Sequence, residues 1–555
     1  MPPDHIKHIV IAGGGTAGWM AAAALAKLLG SAWRITLIES EEIGIVGVGE
    51  ATIPLINIYN QALEIDENAF MRETSATFKL GIEFVNWGRL GDRYIHGFGP
   101  LGPDIGLTKF HHYWLKMNAL RRAAPLDEYS INIVAAKHNK MLRAQRDMGN
   151  SPLAEIAHAY HFDAGLYAAF LRRYAEKLGV VRLEGKISGA TTRPEDGFVD
   201  AVVMEDGRRI EGDLFVDCSG FRGLLIEQTL HTGYEDWSQW LPANRAWAVP
   251  CESVDPVTPY TRSTARTAGW QWRIPLQHRT GNGHVFCNAY TSEQEAADVL
   301  MANLDGAALA SPRLLKFTTG KRRQLWNKNV VAVGLASGFM EPLESTSIHL
   351  IQNTIARLTT FFPFQRFEPA DIAEFNRQSD FEFERIRDFI TLHYKATERD
   401  DTDFWNYCRT MPVPDTLQQK FDLFRSNGHV FRENQELFSE ISWVEVFVGQ
   451  RVLPRGYHPL VDTLPEARVA EFLNNVHTTI RRCAEAMPDH AEYVAQQCPS
   501  ALPQHKAAAA GTATGTATAT ATSTATASAT AAAAASATAT ATGTATTAPA
   551  SPQAA

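Results

Sequence analysis

Residues 6–20 read IKHIVIAGGGTAGWM, a short apolar run followed by a glycine-rich turn and the start of a second apolar segment. The first run is typical of a buried parallel strand, and the alanine-rich segment Ala17–Leu29 predicts a helix. Between them, Gly13, Gly15 and Gly18 form a G-x-G-x-x-G motif. Glycines at this spacing allow a tight turn and a close approach of the backbone to a pyrophosphate at the helix N-terminus. The stretch therefore predicts a dinucleotide-binding α/β fold.

The segments that follow favour FAD over NAD as the dinucleotide. A second strand, Ile35–Ile38, ends at Glu39, where a carboxylate can bind ribose hydroxyls. Two later strands run directly into the sequences DCSG and GLASG, as in flavoproteins whose chain returns to the cofactor. The further strands that the sequence predicts are Val180–Gly185, Phe198–Val203, Leu214–Val216 and Asn329–Val333.

The composition excludes several other classes of protein. The chain has 555 residues, 45% of them hydrophobic, and a formal net charge of −9, which argues against nucleic acid as a partner. No apolar stretch reaches the length of a membrane span, and the first apolar run is too early and too short for a signal peptide. The six cysteines show neither a CxxC pair nor zinc spacing. We therefore expect a cytoplasmic protein with reduced thiols and no metal site.

A lysine interrupts an apolar pattern further along the chain. From Phe78 to Val85 the residues alternate between apolar and polar, which predicts one strand with Lys79 on the face opposite to the apolar one. Taken alone, this pattern also fits a surface lysine on a half-exposed strand. The glycine- and proline-rich segment Tyr94–Gly106 predicts a loop.

Residues 269–275 read GWQWRIP and place two tryptophans two positions apart. On an extended segment, Trp270 and Trp272 point to the same side and form one indole wall. We hypothesise that this wall shields a flavin from an organic substrate while small molecules pass.

A helix start follows the strand that leads into GLASG. Ile348, Ile351, Ile355 and Leu358 mark an amphipathic helix, and Ser345 or Thr346 is a natural N-cap. Its free backbone N–H groups and positive dipole end offer a site for a flavin carbonyl, a halide, or both.

Five motifs in a fixed order carry a resemblance to a known family. GGGTAGWMAA, GVGEATIP, the Lys79 segment, WQWRIP and EPLEST together resemble the flavin-dependent tryptophan halogenases, from about residue 8 to residue 461. The resemblance implies that a separate reductase supplies reduced FAD, which with oxygen and chloride or bromide yields hypohalous acid. The acid then passes through a tunnel to a lysine that delivers the halogen to an indole ring. A homodimer is also implied.

The resemblance assigns roles to individual residues. Lys79 corresponds to the catalytic lysine, and Glu344 to the glutamate that stabilises the cationic arene and helps to remove its proton. Thr346 and Ser347 correspond to the halide-binding pair, whose second member is typically glycine. The residues assigned to the substrate are His96 and Phe98, and those assigned to flavin shielding are Trp270 and Trp272. The residues assigned to FAD are Gly13, Gly14, Gly15, Thr16, Ala17, Gly18, Glu39, Ala51, Ile187, Leu335 and Ile348.

The substrate end departs from the tryptophan-specific members. A tyrosine pair that clamps the amino-acid backbone is replaced here by Ser442 and Trp443. The ammonium and carboxylate of an amino acid need fixed polar partners, so the expected substrate is an indole-like arene: indole, a substituted indole, a tryptophan within a peptide, or free tryptophan as the less expected case. Two alternatives stay open, a flavin monooxygenase and a non-catalytic FAD-binding protein.

The predicted architecture is α/β, with a Rossmann-type FAD module that resembles the flavin monooxygenases. We expect this module, with interwoven substrate segments, at residues 1–370, and a mainly helical, substrate-covering region at residues 371–502. Residues 503–555 are almost purely Ala, Thr, Ser and Gly towards their end and are predicted to be disordered, because they offer little apolar surface to bury.

Overall fold

The glycine-rich stretch folds as a strand, His8–Ala12, a turn, and a helix, Thr16–Leu29. The computed structural model describes residues 6–42 and 49–505. Most of the Ala/Thr-rich tail and the first residues of the GIVGVGEATIP segment lie outside the described residues, so the disorder predicted for the tail stays a prediction.

A six-stranded sheet carries the strand of the glycine motif in its interior. Five of its strands run parallel, and Trp326–Asn327 adds an antiparallel edge. In spatial order the strands are Trp326–Asn327, Val330–Ala332, Leu214–Asp217, His8–Ala12, Arg34–Glu39 and Val181–Glu184. Because parallel strands present their carboxyl ends at one edge, the segments after Ala12, Glu39, Asp217 and Ala332 meet there. The predicted α/β class is confirmed.

A seven-stranded sheet carries the tryptophan motif. Its strands are, in spatial order, Arg313–Lys316, Arg245–Cys251, Thr280–Phe286, Gly269–Pro275, Thr261–Arg266, Gly81–Val85 and Arg93–Gly97. All neighbouring pairs are antiparallel except Thr261–Arg266 with Gly81–Val85. Trp272 lies opposite Gly283, where the absence of a side chain leaves room for the indole ring.

Three smaller sheets complete the strands of the described residues. Their members, in spatial order, are Arg209–Glu211, Val199–Met204 and Ile187–Thr192 in one, Tyr234–Asp236, Gly320–Arg322 and Gly338–Phe339 in another, and Gly49–Ala51, Ala159–Asp163 and Thr77–Lys79 in the last.

Two predictions about the Lys79 region were wrong. The strand expected from Phe78 to Val85 is broken at Leu80, and its two halves join different sheets. The alternation continues through the break, but both faces are covered, so Lys79 is fully buried along with its apolar neighbours. The segment from Tyr94 onward begins as a strand, Arg93–Gly97, because its backbone pairs with Gly81–Val85 despite the glycines that follow.

The described residues contain fourteen α-helices. They are Thr16–Leu29, Ile56–Ala62, Glu67–Glu73, Phe110–Ala119, Ile131–Lys137, Ala164–Lys177, Glu293–Ala302, Ser347–Thr360, Pro369–Lys395, Asp403–Thr410, Asp415–Asn427, Glu440–Gly449, Glu466–Glu485 and His490–Gln497. The longest begins with proline at its first turn, where a missing N–H costs nothing. No helix among them is long and apolar enough to cross a membrane.

Buried apolar side chains from the sheets and from the C-terminal helices belong to one continuous core cluster. Among the helices after residue 369, His490–Gln497 contacts the strand Thr77–Lys79, and Glu440–Gly449 contacts the strand Arg93–Gly97. The predicted boundary at residue 370 stays a prediction.

Candidate active site

A cavity of about 840 Å³ opens at the carboxyl edge of the six-stranded sheet. Its wall includes the glycine turn, the end of the second strand, the DCSG segment and the GLASG segment. The predicted FAD residues that line it are Gly13, Gly14, Gly15, Thr16, Ala17, Glu39, Ala51, Ile187, Leu335 and Ile348. Gly18 is not among the lining residues.

The three glycines of the motif are needed for different physical reasons. Gly13 has a φ of +112°, and a Cβ there would lie 2.3 Å from the carbonyl oxygen of Cys218. A Cβ on Gly18 would lie 1.9 Å from the carbonyl oxygen of Gly13, so Gly18 lets the helix pack against the turn. A Cβ on Gly15 would meet no protein atom within 4 Å. Gly15 is thus the glycine whose missing side chain leaves space for a ligand.

Glu39 stands at the cavity wall with its carboxylate already oriented. Arg182 donates from Nε to Oε1 at 2.5 Å, and Trp19 donates from Nε1 to Oε2 at 3.1 Å. These donors hold the carboxylate in one place while it retains lone pairs for a ribose hydroxyl.

Lys79 is enclosed by protein and held by two acceptors. Its Nζ donates to the carbonyl oxygen of Thr52 at 3.0 Å and to Oγ of Ser345 at 2.7 Å. Burial lowers the pKa of Lys79 from 10.5 to about 7, against the opposing effect of the Glu344 charge. The amine therefore exchanges its proton near neutral pH. Phe98 packs beside it, with its ring centroid 5.3 Å from Nζ.

Glu344 ends a short 3-10 turn, Pro342–Glu344, and its carboxylate lies between two imidazoles. Nδ1 of His96 is 2.9 Å from Oε2, and Nε2 of His393 is 2.8 Å from Oε1. Burial by itself would raise the pKa of Glu344, but the two histidines outweigh it and hold the pKa at about 2. Glu344 is therefore an anion throughout the neutral range. His96, predicted as a substrate residue, has one nitrogen committed to this carboxylate.

The start of the helix Ser347–Thr360 lies next to these residues. Thr346 is the N-cap, but its hydroxyl makes no capping bond and is buried without a hydrogen-bond partner among the described residues. Ser345, the other predicted cap, has a left-handed φ of 59°, and its hydroxyl oxygen accepts a hydrogen bond from Lys79 instead. Ser345 and Ser347 both line the cavity. The Lys79 amine is thus hydrogen-bonded directly to Ser345, a residue of the cavity wall.

The two tryptophans of the GWQWRIP motif have different surroundings. Their ring centroids are 6.1 Å apart, and Trp272 lines the cavity. Trp270 is fully buried behind it and donates from Nε1 to Oε2 of Glu341, which also accepts from the hydroxyl of Tyr394. Burial raises the pKa of Glu341 to about 7. The face that the pair presents to the cavity is therefore that of Trp272.

The segment expected to hold the polar end of a substrate is part of the helix Glu440–Gly449. Trp443 is fully buried, donates from Nε1 to Oε1 of Glu436 at 3.0 Å, and lies under the Lys420 ammonium. The indole of Trp443 thus already has protein partners on its N–H and its face, and the hydroxyl of Ser442 faces Ser439.

Sequence reasoning missed three residues of this cluster. Ser345 was assigned only a capping role, while Glu341 and His393 received none. The repeated acid in EPLEST was the one signal for Glu341. Nothing in the pattern of the long helix distinguishes His393 from the apolar residues that surround it.

Known proteins are similar to this chain over most of its length. The sequence profile of the tryptophan halogenase family matches residues 8–466. The chain is 33% identical to tryptophan 7-halogenase RebH of Lentzea aerocolonigenes, over 89% of this chain and 99% of that protein. It is 34% identical to tryptophan 6-halogenase ThaL of Streptomyces albogriseolus, over 84% and 93%.

Two solved structures are more similar in sequence. A flavin-dependent halogenase from Xanthomonas campestris is 50% identical and superposes with a TM-score of 0.87, over 90% of this chain and all of that chain. BrvH, a flavin-dependent halogenase from Brevundimonas sp. BAL3, is 46% identical with a TM-score of 0.86 over the same shares.

Proposed function

Because the chain belongs to the tryptophan halogenase family, we propose that it halogenates an indole-like arene with reduced FAD, oxygen and chloride or bromide. It is a flavin-dependent halogenase; the comparisons support neither a flavin monooxygenase nor a non-catalytic FAD-binding protein. The reduced cofactor comes from a separate flavin reductase in this proposal.

The cavity fits an FAD molecule. The space at Gly15 and the N-terminus of the helix Thr16–Leu29 suit a pyrophosphate, and the oriented Glu39 carboxylate suits a ribose. When bound and reduced, FAD would supply, with oxygen, the oxidising power that converts a halide into hypohalous acid. Trp272 in the wall is suited to keep an arene out of this cavity.

A halide site at the start of the helix Ser347–Thr360 is supported by two observations. The backbone N–H groups of the first turn have no partner within the helix, and the turn contains no acidic residue. The buried hydroxyl of Thr346 also lacks a partner among the described residues, which is costly unless a ligand accepts from it. The side chain of Ser347 narrows this site relative to glycine.

The contact between Lys79 and Ser345 carries the proposal. Ser345 lines the cavity and accepts from Nζ, so a small oxidant that leaves the cavity meets the lysine first. Because burial brings the pKa of Lys79 to about 7, both an amine and an ammonium are available near neutral pH. The amine would take the halogen from hypohalous acid and release water, whereas the ammonium would donate a hydrogen bond to it.

Glu344 supplies the negative charge that this reaction needs. Halogen attack on an arene creates a cation, and a desolvated carboxylate stabilises it more strongly than water does. Phe98 beside the lysine offers an aromatic face for an indole ring. The occupied indole of Trp443 supports a substrate that needs no amino-acid clamp.

The test is a competition assay. Purified protein receives FAD, a flavin reductase, NADH, oxygen, bromide, and indole and tryptophan together, and products are read by mass spectrometry. Lys79→Met is compared with Lys116→Met, since Lys116 is also largely buried but pairs with Asp462. We expect halogenated indole from the native protein and from Lys116→Met, and none from Lys79→Met.

Two results would contradict the proposal. Equal product from Lys79→Met would mean that free hypohalous acid reacts without the lysine. Halogenated tryptophan as the single product would mean that an amino-acid clamp exists elsewhere.

A further inference from the structure

A chain of aromatic rings runs from the cavity wall into the protein behind Trp272. The ring centroids of Trp272 and Trp270 are 6.1 Å apart, and those of Trp270 and Trp87 are 6.5 Å apart. The ring of Trp87 in turn lies 5.3 Å from that of Tyr394. Trp272 lines the cavity, whereas the other three rings are fully buried. Indole and phenol rings lose an electron more readily than a phenylalanine ring, so this chain is a path along which an electron can move towards the cavity.

The chain ends at a hydrogen bond that can take up a proton. The Tyr394 hydroxyl donates to Oε2 of Glu341 at 2.5 Å, and Nε1 of Trp270 donates to the same oxygen. Burial raises the pKa of the Tyr394 hydroxyl, so the phenol keeps its proton in the resting protein. Burial also raises the pKa of Glu341 to about 7, so its carboxylate is a proton acceptor near neutral pH. An oxidised phenol is a strong acid and transfers its proton to such an acceptor.

The charges around the chain favour Tyr394 as its end point. The carboxylate of Glu341 stabilises positive charge on Trp270 and Tyr394, because water is excluded from these buried rings. The ring of Trp405 lies 6.0 Å from that of Tyr394, but the Arg399 guanidinium stands 4.5 Å above it. A cation so close opposes the loss of an electron from Trp405. The site of lowest energy for an electron vacancy is therefore Tyr394.

We propose that this chain passes an electron to a flavin in the cavity under blue light, leaving a neutral radical on Tyr394 and a proton on Glu341. The inference rests on the proposed function, in which FAD binds in the cavity. An oxidised flavin that has absorbed blue light takes one electron from an adjacent indole. Trp272 supplies that electron and recovers one through the two buried indoles. The final donor is Tyr394, whose hydroxyl proton passes to Oε2 of Glu341.

The path continues to the protein surface beyond Tyr394. The ring centroid of Phe404 lies 6.1 Å from that of Tyr394 and 5.6 Å from that of Tyr290, which is 37% exposed. Tyr290 can return an electron to Tyr394 across this ring, while Glu341 returns the proton. A thiol in solution then reduces Tyr290. Two such cycles convert FAD and two thiols into FADH2 and one disulfide, so light and a thiol would replace the flavin reductase.

Four variants separate this path from a cluster of rings that only packs. Trp272→Phe removes the first donor, Tyr394→Phe removes the last one, and Glu341→Gln removes the proton acceptor. Trp326→Phe is the control, because Trp326 is also a buried indole but packs on two phenylalanines. FAD binding is measured for each variant by flavin absorbance after unbound FAD has been removed.

The measurement is electron paramagnetic resonance of the FAD-loaded protein, illuminated with blue light without oxygen, halide or arene. We expect a tyrosyl radical in the native protein and in Trp326→Phe, and its loss in Trp272→Phe, Tyr394→Phe and Glu341→Gln. A second sample contains dithiothreitol, and the loss of flavin absorbance under light is followed. Bleaching should be slower in Trp272→Phe and Tyr394→Phe than in the native protein and the control.

The outcomes distinguish this inference from the proposed function. The inference is overturned if the native protein binds FAD but forms no tyrosyl radical, or if the radical persists in any of the three variants on the path. Native protein that binds no FAD would reject both the inference and the proposed function. The expected radical in a protein that halogenates no arene would reject the proposed function alone.

Discussion

Replacing Lys79 by methionine should stabilise the protein at neutral pH while abolishing its activity. Burial lowers the pKa of Lys79 from 10.5 to about 7, and each pH unit corresponds to about 1.4 kcal/mol. Keeping this lysine protonated in the folded state therefore costs ~5 kcal/mol at or below pH 7. Methionine has a similar length and carries no charge, so it avoids this cost.

The hydrogen bonds of the lysine act in the opposite direction. Methionine leaves the carbonyl of Thr52 and the hydroxyl of Ser345 without their donor, a loss of about 1 to 1.5 kcal/mol each. The net gain at pH 7 is then ~2 kcal/mol. For a protein of ~500 residues, with an unfolding entropy of about 2.1 cal/mol/K per residue, this raises Tm by ~2 °C.

The effect should reverse at alkaline pH. Between pH 7 and 10.5 the unfolded chain binds more protons at this lysine than the folded one, so the native protein gains stability as pH rises. At pH 9.5 the burial of Lys79 still lowers the free energy of unfolding of the native protein by ~1.4 kcal/mol. This is less than the stability contributed by its two hydrogen bonds, so Lys79→Met should melt ~1 °C below the native protein at that pH.

Thermal unfolding of the flavin-free protein between pH 6.5 and 9.5 measures the difference. Lys116→Met is the control and should show no gain at neutral pH, because the Lys116 ammonium pairs with the exposed carboxylate of Asp462. If Lys79→Met melts below the native protein at pH 7, or if the difference does not change with pH, the assignment of a desolvated, low-pKa lysine is refuted.

Three further predictions concern the cofactor cavity and a buried acid. Gly14→Ala would place a Cβ 1.8 Å from Oε2 of Glu39, so it should lower both Tm and FAD affinity. A Cβ in Gly15→Ala would meet no protein atom, so this variant should weaken FAD binding by about tenfold and leave the Tm of the flavin-free protein unchanged. Equal effects of the two variants on Tm would contradict this distinction. Burial raises the pKa of Glu445 from 4.5 to about 8, so the native protein loses stability as the pH rises between these values. Glu445→Gln should therefore raise Tm at pH 8 but not at pH 4. A gain in Tm that does not depend on pH would argue against a neutral acid at this position. Trp272→Ala opens the cavity wall and should produce a hydroxylated arene in the mass spectrum, and the shielding hypothesis fails if no such product forms and FADH2 is not oxidised faster.

The glycine-rich turn and the family could be predicted from the sequence because their signals are local. Gly13 and Gly18 satisfy backbone constraints and Gly15 leaves open space, all within six residues, and the strand and helix on either side follow from apolar periodicity. The five motifs in order carried the resemblance, which the family match confirmed. Periodicity failed at Lys79, since alternation does not distinguish a half-exposed strand from one covered on both faces.

Only the tertiary structure determined the surroundings of the reactive side chains. Lys79 meets the carbonyl of Thr52 and the hydroxyl of Ser345 because the chain changes sheets at Leu80. His96 and His393 meet at Glu344 although about 300 residues separate them. A residue's type and its local pattern determine its backbone, but its pKa depends on desolvation and on charges brought within a few ångströms by packing. The halogenase family is therefore readable from the chain, whereas the neutral-range lysine and the clamped carboxylate exist only in the folded protein.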